Sequence, residues 1–290
     1  MQLRFSGVGA GLRPTHYSHL LENSAEAVHA DWFEAISENY MDSHGRPLEV
    51  LTRIRETYPV ALHGVGLSPG GAYGVDAGYL KRLRALVDRI EPFLVSDHCS
   101  FGSTGAEHLH DLLPVPYNAE SLRAMCANID RAQNALGRGI ALENVSSYLT
   151  YRHSDMTEWE FLNELTARSG CRLLLDINNV YVNARNHGFD AQDFLRNIRP
   201  DAVAQIHLAG HTDMGDYLFD THSRPVAAAV WELYADIIGQ MPHVPVLIEW
   251  DEDIPEFSVI EAEIQRARSL RQASILQSST TAPRNECDYK

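Results

Sequence analysis

The sequence predicts an α/β protein that forms one closed barrel of eight parallel strands, and three observations favour this fold. Eight short apolar or β-branched runs recur along the 290 residues, with room for one helix between consecutive runs. Runs such as CRLLLDI and VPVLIEW are almost continuously apolar, as expected for strands covered by helices on both faces. Seven of the eight runs end in His, Glu or Asp, which is typical of the catalytic end of a (β/α)8 or TIM barrel.

The predicted strands take up the apolar runs in chain order. They cover residues 3–8, 32–37, 60–65, 93–98, 139–144, 171–177, 203–208 and 244–250. Three of the intervening helices carry signals at both ends, namely an N-cap residue or capping box at the start and Pro or Gly at the end. These helices are predicted from Asp76 to Pro92, from Asn118 to Gly137 and from Thr157 to Gly170.

The domain organisation predicted from these runs is simple. Residues 1–272 form a single catalytic barrel, because no linker and no internal repeat divides them. Residues 273–290 are polar and unpatterned, which predicts a disordered tail.

Composition excludes several classes of function. A net charge of -15, from 39 acidic and 24 basic residues, disfavours nucleic acid as a partner. No apolar run approaches the roughly 18 to 20 residues of a membrane helix, so no membrane association is expected. Lys81 and Lys290 are the only lysines, which disfavours Schiff-base catalysis. The four cysteines form no CxxC pair and the chain starts without an apolar signal segment, so a cytoplasmic protein is expected.

Titratable side chains at the strand ends predict a metal site at the mouth of the barrel. The strand-end candidates are His63, His98, Glu143, Asp176, His207 and Glu249, with the acidic segment from Glu34 to Glu38. The candidates on the following loops and helix are Asn179, His211, Asp220 and His222. Burying so many charges together is costly unless cations pair with them. About ten donors exceed the four to six that one ion takes, so two or three ions are expected.

The type of donor narrows the choice of metal. Imidazole and carboxylate without thiolate argue against structural zinc and suit iron, manganese or catalytic zinc. Glu143 could bridge two ions, as carboxylates do in two-metal sites. Cys99 follows His98 directly, so strand alternation turns its side chain away from the barrel interior and predicts packing rather than reactivity.

A series of motifs resembles one known family across roughly residues 3 to 270. The motifs are, in order, GVGAGLR, FEAISENY, LHGVGLS, SDHCSF, LENVSSY, LLDINNVYVNARNHG, IHLAGH, FDTHS and LIEWD. In this order and spacing they resemble the multinuclear non-heme iron-dependent oxidative enzymes (MNIO), including the bufferin- and methanobactin-type peptide-modifying enzymes. Members of this family are TIM barrels that hold two or three irons and use dioxygen to modify cysteines in ribosomally made precursor peptides.

The resemblance implies roles for individual residues and partners. It makes His63, His98, Glu143, Asp176, His207, Asp220, His222 and Glu249 metal ligands, and places Asn179 and His211 in a third site. His98, Glu143 and Asp176 are the implied catalytic residues. The implied cofactor is a mixed Fe(II)/Fe(III) centre with dioxygen as co-substrate. The implied partners are a cysteine-containing precursor peptide and a separate protein that recognises its leader. The product could be an oxazolone with a thioamide, a thiooxazole, or a peptide that has lost the β carbon.

Two alternatives use the same donors. One is a divalent-metal-dependent hydrolase or sugar isomerase of the endonuclease IV or xylose isomerase type. The acidic charge disfavours a nuclease, and the shortage of lysine disfavours a lysine-assisted isomerase. The other alternative is a metal-binding protein without catalysis, whose ligands would saturate the metal instead of leaving positions open.

Overall fold

A closed barrel of parallel strands forms the centre of the computed structural model, which describes residues 5–103 and 108–281. The strands are β1 (Val8–Gly11), β2 (Phe33–Ile36), β3 (Val60–His63), β4 (Leu94–His98), β5 (Phe101–Ser103), β6 (His108–Leu113), β7 (Ala141–Glu143), β8 (Arg172–Asp176), β9 (Val203–Leu208), β10 (Thr212–Asp213), β11 (Leu218–Phe219) and β12 (Val246–Ile248). Around the barrel the order is β1-β12-β9-β8-β7-β4-β3-β2, and β2 pairs with β1 to close it. The predicted (β/α)8 barrel is confirmed.

Helices cover the outside of the barrel. They are α1 (Tyr17–Glu22), α2 (Glu38–Met41), α3 (Arg46–Thr57), α4 (Ala77–Ile90), α5 (Ala119–Leu136), α6 (Glu158–Ser169), α7 (Ile177–His187), α8 (Ala191–Asn197), α9 (Ala228–Ile238) and α10 (Phe257–Thr281). The antiparallel hairpins β5–β6 and β10–β11 follow β4 and β9, so both extend from the carboxyl end of the barrel. No helix in the described ranges is long and apolar enough to cross a membrane.

The predicted helix ends are confirmed by their hydrogen bonds. The Asp76 side chain accepts from the backbone N–H of Tyr79 at the start of α4. The Asn118 side chain accepts from two backbone N–H groups at the start of α5. Both halves of the predicted capping box are present at α6, which Gly170 ends with a φ of 70°.

The first strand lies further along the chain than predicted. Strand β1 covers Val8–Gly11, whereas the apolar pattern indicated residues 3–8, of which 3 and 4 lie outside the described residues. The glycines of GVGAG are typical of a turn, but one of them, Gly9, lies in the strand because the neighbouring side chain leaves no room for a larger residue. A Cβ atom on Gly9 would lie 2.5 Å from the ring of Trp32. The strand therefore passes a bulky side chain that no larger residue would allow.

Trp32 fills the amino-terminal part of the barrel interior. It is fully buried in a cluster with one inward-facing residue from each of several strands. The other members are Ala61, Leu94, Ala141, Leu174, Ala204 and Leu247. One large ring among small and branched side chains fills this end of the barrel. A functional site is therefore expected at the carboxyl end of the strands.

The last helix extends past the predicted domain boundary. Helix α10 continues beyond residue 272 to Thr281, through the first part of the segment for which the sequence indicated a disordered tail. Residues 282–290 lie outside the described residues, and the division of the chain at residue 272 stays a prediction.

Candidate metal centre

A layer of polar side chains lies directly above the Trp32 cluster. Residues two apart on a strand face the same side, so on five strands the residue two positions after a member of that cluster belongs to this layer. The pairs of lower and upper residues are Trp32 and Glu34, Ala61 and His63, Ala141 and Glu143, Leu174 and Asp176, and Leu247 and Glu249. The barrel geometry thus converges His and carboxylate groups on its axis.

Three of these side chains form a first cluster of metal-ligand type. His63 Nε2 lies 3.1 Å and His98 Nε2 lies 3.4 Å from Glu143 Oε2. The other ring nitrogen of each histidine has a partner, since His63 Nδ1 contacts Ser96 Oγ at 2.9 Å and His98 Nδ1 contacts the Gly64 carbonyl at 3.0 Å. These partners orient both Nε2 atoms toward Glu143, as the outer contacts of metal-binding histidines do.

A second cluster shares Glu143 with the first. It comprises Glu143, Asp176, His207 and Glu249, whose donor atoms all lie within 4.8 Å of one another. His207 Nδ1 lies 2.8 Å from Glu249 Oε2 and 3.5 Å from Glu143 Oε1. Because Glu143 turns one oxygen to each cluster, it is placed to bridge two ions.

A third cluster continues from Glu249 to the loop after β11. It comprises His222, Glu249 and Asp251. His222 Nδ1 lies 3.4 Å from Glu249 Oε2 and 3.2 Å from Asp251 Oδ2, while its Nε2 lies 2.7 Å from Asp220 Oδ1. The His222 backbone has a φ of 46°, an uncommon conformation for a residue other than glycine. The Arg13 guanidinium pairs with Asp251 and donates to the Trp250 carbonyl, which holds this end of the site.

The structure brings most of the sequence-predicted residues together. The three clusters contain His63, His98, Glu143, Asp176, His207, His222 and Glu249. Asp220 contacts His222, and the Asn179 N–H donates to Asp176 Oδ1. His211 lies further out, where its Nδ1 contacts Asn178 Oδ1 at 2.8 Å. The assignment of each residue as a ligand stays a prediction.

Sequence reasoning missed the parts played by three residues of the site. Glu34 was noted at a strand end but not as a neighbour of His207, and Asp251 and Arg13 were not singled out. Asp251 had a signal, because it follows Glu249 by two residues in LIEWD. Arg13 pairs with Asp251 from the other end of the chain, so no local sequence pattern predicts this contact.

Two buried oxygen atoms of the site fit a metal ion, because each lacks both a hydrogen bond and an ion pair among the described residues. They are Asp176 Oδ2 and Asn179 Oδ1. Four further buried atoms make no hydrogen bond and lie only at ion-pair distance from another side chain of the site, namely Glu143 Oε2, His207 Nδ1, His222 Nε2 and Glu249 Oε2. Buried polar atoms without a hydrogen bond cost free energy, and a metal ion that binds imidazole and carboxylate would satisfy them.

The pKa shifts show the same need for positive charge. Burial alone would raise the pKa of Glu143, but His207 and His98 hold it well below its usual range. Burial alone would lower the pKa of His207, but Glu249, Glu34 and Glu143 raise it well above the usual value. His207 therefore keeps a proton beside ionised carboxylates, and a metal ion would supply that positive charge instead.

The fold and these clusters define a class: a TIM barrel with a candidate multinuclear centre at the carboxyl ends of its strands. The sequence profile of a family described as the RiPP precursor modification enzyme MbnB/TglH/ChrH, where RiPP denotes a ribosomally synthesised and post-translationally modified peptide, matches residues 7–272. The chain belongs to this family, which confirms the resemblance drawn from the motifs. A precursor peptide as partner follows from membership.

Relatives in other bacteria match almost the whole chain. A UPF0276 protein of Rhizorhabdus wittichii is 51% identical over 265 residues, which cover 91% of this chain and 95% of the relative. A UPF0276 protein of Caulobacter vibrioides is 49% identical over 91% of this chain and 94% of its own length.

Solved structures share the fold at low sequence identity. An L-ribulose 3-epimerase has a TM-score of 0.62 with 13% identity and covers 97% of this chain and 99% of its own. A D-tagatose 3-epimerase-like protein has a TM-score of 0.59 with 14% identity, over 94% of this chain and 99% of its own. This likeness shows the barrel alone, so it lends no support to the sugar isomerase alternative.

Proposed function

We propose that this protein uses iron and dioxygen to oxidise cysteine residues of a ribosomally synthesised precursor peptide. The observation that carries the proposal is the chain of three donor clusters joined by two shared carboxylates. Glu143 belongs to the first and second clusters, and Glu249 to the second and third. Shared carboxylates are how proteins hold two ions close enough to act on one substrate.

The donors favour iron or manganese over zinc. Each cluster offers imidazole and carboxylate groups and no thiolate, a set that suits iron and manganese. Cys99, the nearest cysteine in sequence to the ligands, is buried in the apolar core. When bound, iron supplies a position for a substrate thiolate and the redox capacity to activate dioxygen, whereas zinc has no redox chemistry.

The side chains of the three clusters would hold separate metal ions. In this proposal His63, His98 and Glu143 hold one ion, and Asp176, His207 and Glu249 hold the second with Glu143. His222, Glu249 and Asp251 hold the third, and Asp220 contacts the other ring nitrogen of His222. Within the first cluster the His98 side chain is the most open, with 11% exposed against 5% for His63 and 2% for Glu143. His98, Glu143 and Asp176 take the catalytic roles that the family resemblance implies.

Membership of the family supports a precursor peptide as the substrate. The precursor peptide supplies the cysteine, whose oxidation provides the electrons and protons that reduce dioxygen to water. A separate protein recognises the leader of the peptide. A net charge of -15 favours a basic leader or a basic partner.

Co-expression with cysteine-containing peptides encoded near the gene tests this function. The proposal expects a peptide whose mass falls by lost hydrogens at cysteine when oxygen is present. The change should disappear in Glu143→Gln and His98→Ala but persist in Glu232→Gln, an exposed site on α9. Unchanged masses for every neighbouring peptide, or a change that zinc supports as well as iron, would overturn the proposal.

A further inference from the structure

Three aromatic side chains stand exposed beside the third cluster. Tyr148, Tyr217 and Phe219 are between 42% and 47% exposed and form one surface, which we call the aromatic rim. The Tyr148 ring lies 5.4 Å from Phe219 and 6.0 Å from Tyr217, measured between ring centres. Contiguous exposed rings of this kind mark binding sites in proteins, because water contact of large apolar groups is unfavourable.

The aromatic rim is held in place before any ligand arrives. Tyr217 and Phe219 lie on the hairpin β10–β11, where the Met214 N–H donates to the Tyr217 carbonyl at 3.0 Å. Asn186 of α7 donates to the Leu218 carbonyl and accepts from the Leu218 N–H. A ligand therefore meets a formed surface and orders little of the protein on binding.

The aromatic rim is continuous with the metal centre. Phe219 precedes Asp220, whose N–H donates to the Tyr148 hydroxyl at 3.0 Å. Asp220 Oδ1 in turn lies 2.7 Å from His222 Nε2. Three peptide units from Phe219 to His222 span at most about 11 Å, so a chain on the rim reaches the third cluster within about three or four residues. Glu249 joins this cluster to the second.

We propose that the aromatic rim binds an apolar side chain of the precursor peptide, three or four residues from the cysteine that is modified. This inference rests on the proposed function. The hairpin also carries exposed Asp213 and Asp216 beside the rings. Their charges favour a peptide with Lys or Arg next to the apolar residue. The rim thus selects which cysteine of a precursor enters the barrel.

Two synthetic peptides test the proposal. Each has one central cysteine and a lysine near each end, with phenylalanine at the third residue on both sides in one peptide and glycine there in the other. Calorimetry without oxygen measures their affinity for the iron-loaded protein. The phenylalanine peptide should bind about tenfold more tightly, which is the gain expected from half-burying a large apolar side chain.

Variants locate the effect. The double change Tyr217→Ala and Phe219→Ala should abolish the preference, and Tyr217→Ser alone should reduce it. Leu276→Ala should keep it. Leu276 is 68% exposed on α10, beyond Arg271, whose side chain donates to carbonyls that precede β1 and β12 at the opposite end of the barrel.

The outcomes separate this inference from the proposed function. Equal binding of both peptides to the unaltered protein, or a preference that survives in the double variant with its iron content intact, would overturn the role of the rim. If the double variant loses iron, the Tyr217→Ser result decides, and an undiminished preference there overturns it too. Rim-dependent binding without any oxidation in air would instead sink the proposed function.

Discussion

Glu34 contacts the nitrogen of His207 that faces away from the metal ligands. Its Oε1 lies 3.1 Å from His207 Nε2, while Nδ1 of the same ring faces Glu249. A carboxylate in this position fixes the ring and the tautomer of a metal-binding histidine and makes it a stronger donor. Glu34 is therefore a positioning residue for the second cluster.

Replacing Glu34 with Gln should weaken iron binding without unfolding the barrel. Loss of the carboxylate leaves His207 a poorer donor, and such changes typically reduce metal affinity about 10- to 100-fold. Iron retained after equilibration with a graded series of chelator measures this. Glu49→Gln, on the exposed face of α3, is the matched control. Iron retention equal to that of the control would show that Glu34 does not support the ligand.

Alternation explains which single residues could be predicted. His63, Glu143, Asp176 and Glu249 end apolar strands, so their direction follows from the strand itself. The role of Glu34 depends on a neighbour 173 positions away, and no local pattern encodes it. Contacts between residues so far apart in the chain cannot be predicted from a single sequence.

Glu158, which is not one of the proposed metal ligands, should make the stability of the protein depend on pH. Burial raises its pKa from 4.5 to about 8, although hydrogen bonds with Asn183 and Tyr117 oppose the shift. The folded state thus disfavours the charged form, and the resulting loss of stability grows as pH rises from about 4.5 toward 8 and is complete above it. Below about pH 4.5 it is absent.

Glu158→Gln should therefore gain thermal stability relative to the unaltered protein as pH increases. The difference in melting temperature should move in favour of the variant between about pH 5 and pH 9. Glu232→Gln serves as the control at each pH because Glu232 is exposed. A difference that stays constant across this range would contradict the burial of a charge at Glu158.

At the scale of elements, strand β1 is shaped by the ring it passes. The carbonyl oxygen and ring of Trp32 would lie 2.6 Å and 2.5 Å from a Cβ at Gly9. Strand propensity assigns glycine to turns, so the sequence placed the first strand too early. Caps depend on nearby residues alone, and for that reason the ends of α4, α5 and α6 were predictable.

Gly9→Ala should destabilise the barrel. Backbone and ring atoms must both move to admit the methyl group, and such overpacking costs about 1–3 kcal/mol. Urea unfolding measures the loss as a lower midpoint. Gly139→Ala is the control, because the nearest atom to its added Cβ would be Gln133 Oε1 at 3.6 Å. Equal midpoints for the two variants would mean that the Trp32 contact is not tight.

At the scale of the whole molecule, acidic charge has two roles. Most of the 39 acidic residues account for the surface charge, but a few converge on the axis of the barrel. There they lie next to His63 and His207. The pKa values of these two histidines are raised, so their protonated rings balance the negative charge. The number of strands and the alternation of their side chains made the barrel and its polar mouth predictable. The aromatic rim was not predictable, because it depends on a hairpin that has no periodic sequence pattern.

Metal analysis with Mössbauer spectroscopy, on protein purified without oxygen, is the direct test for an oxidative iron centre. We predict two or three irons per chain with signals from both Fe(II) and Fe(III). Glu143→Gln should lower the iron content because it removes a ligand shared by two clusters. Fewer than two irons per chain, together with activity restored by zinc, would contradict an oxidative iron centre.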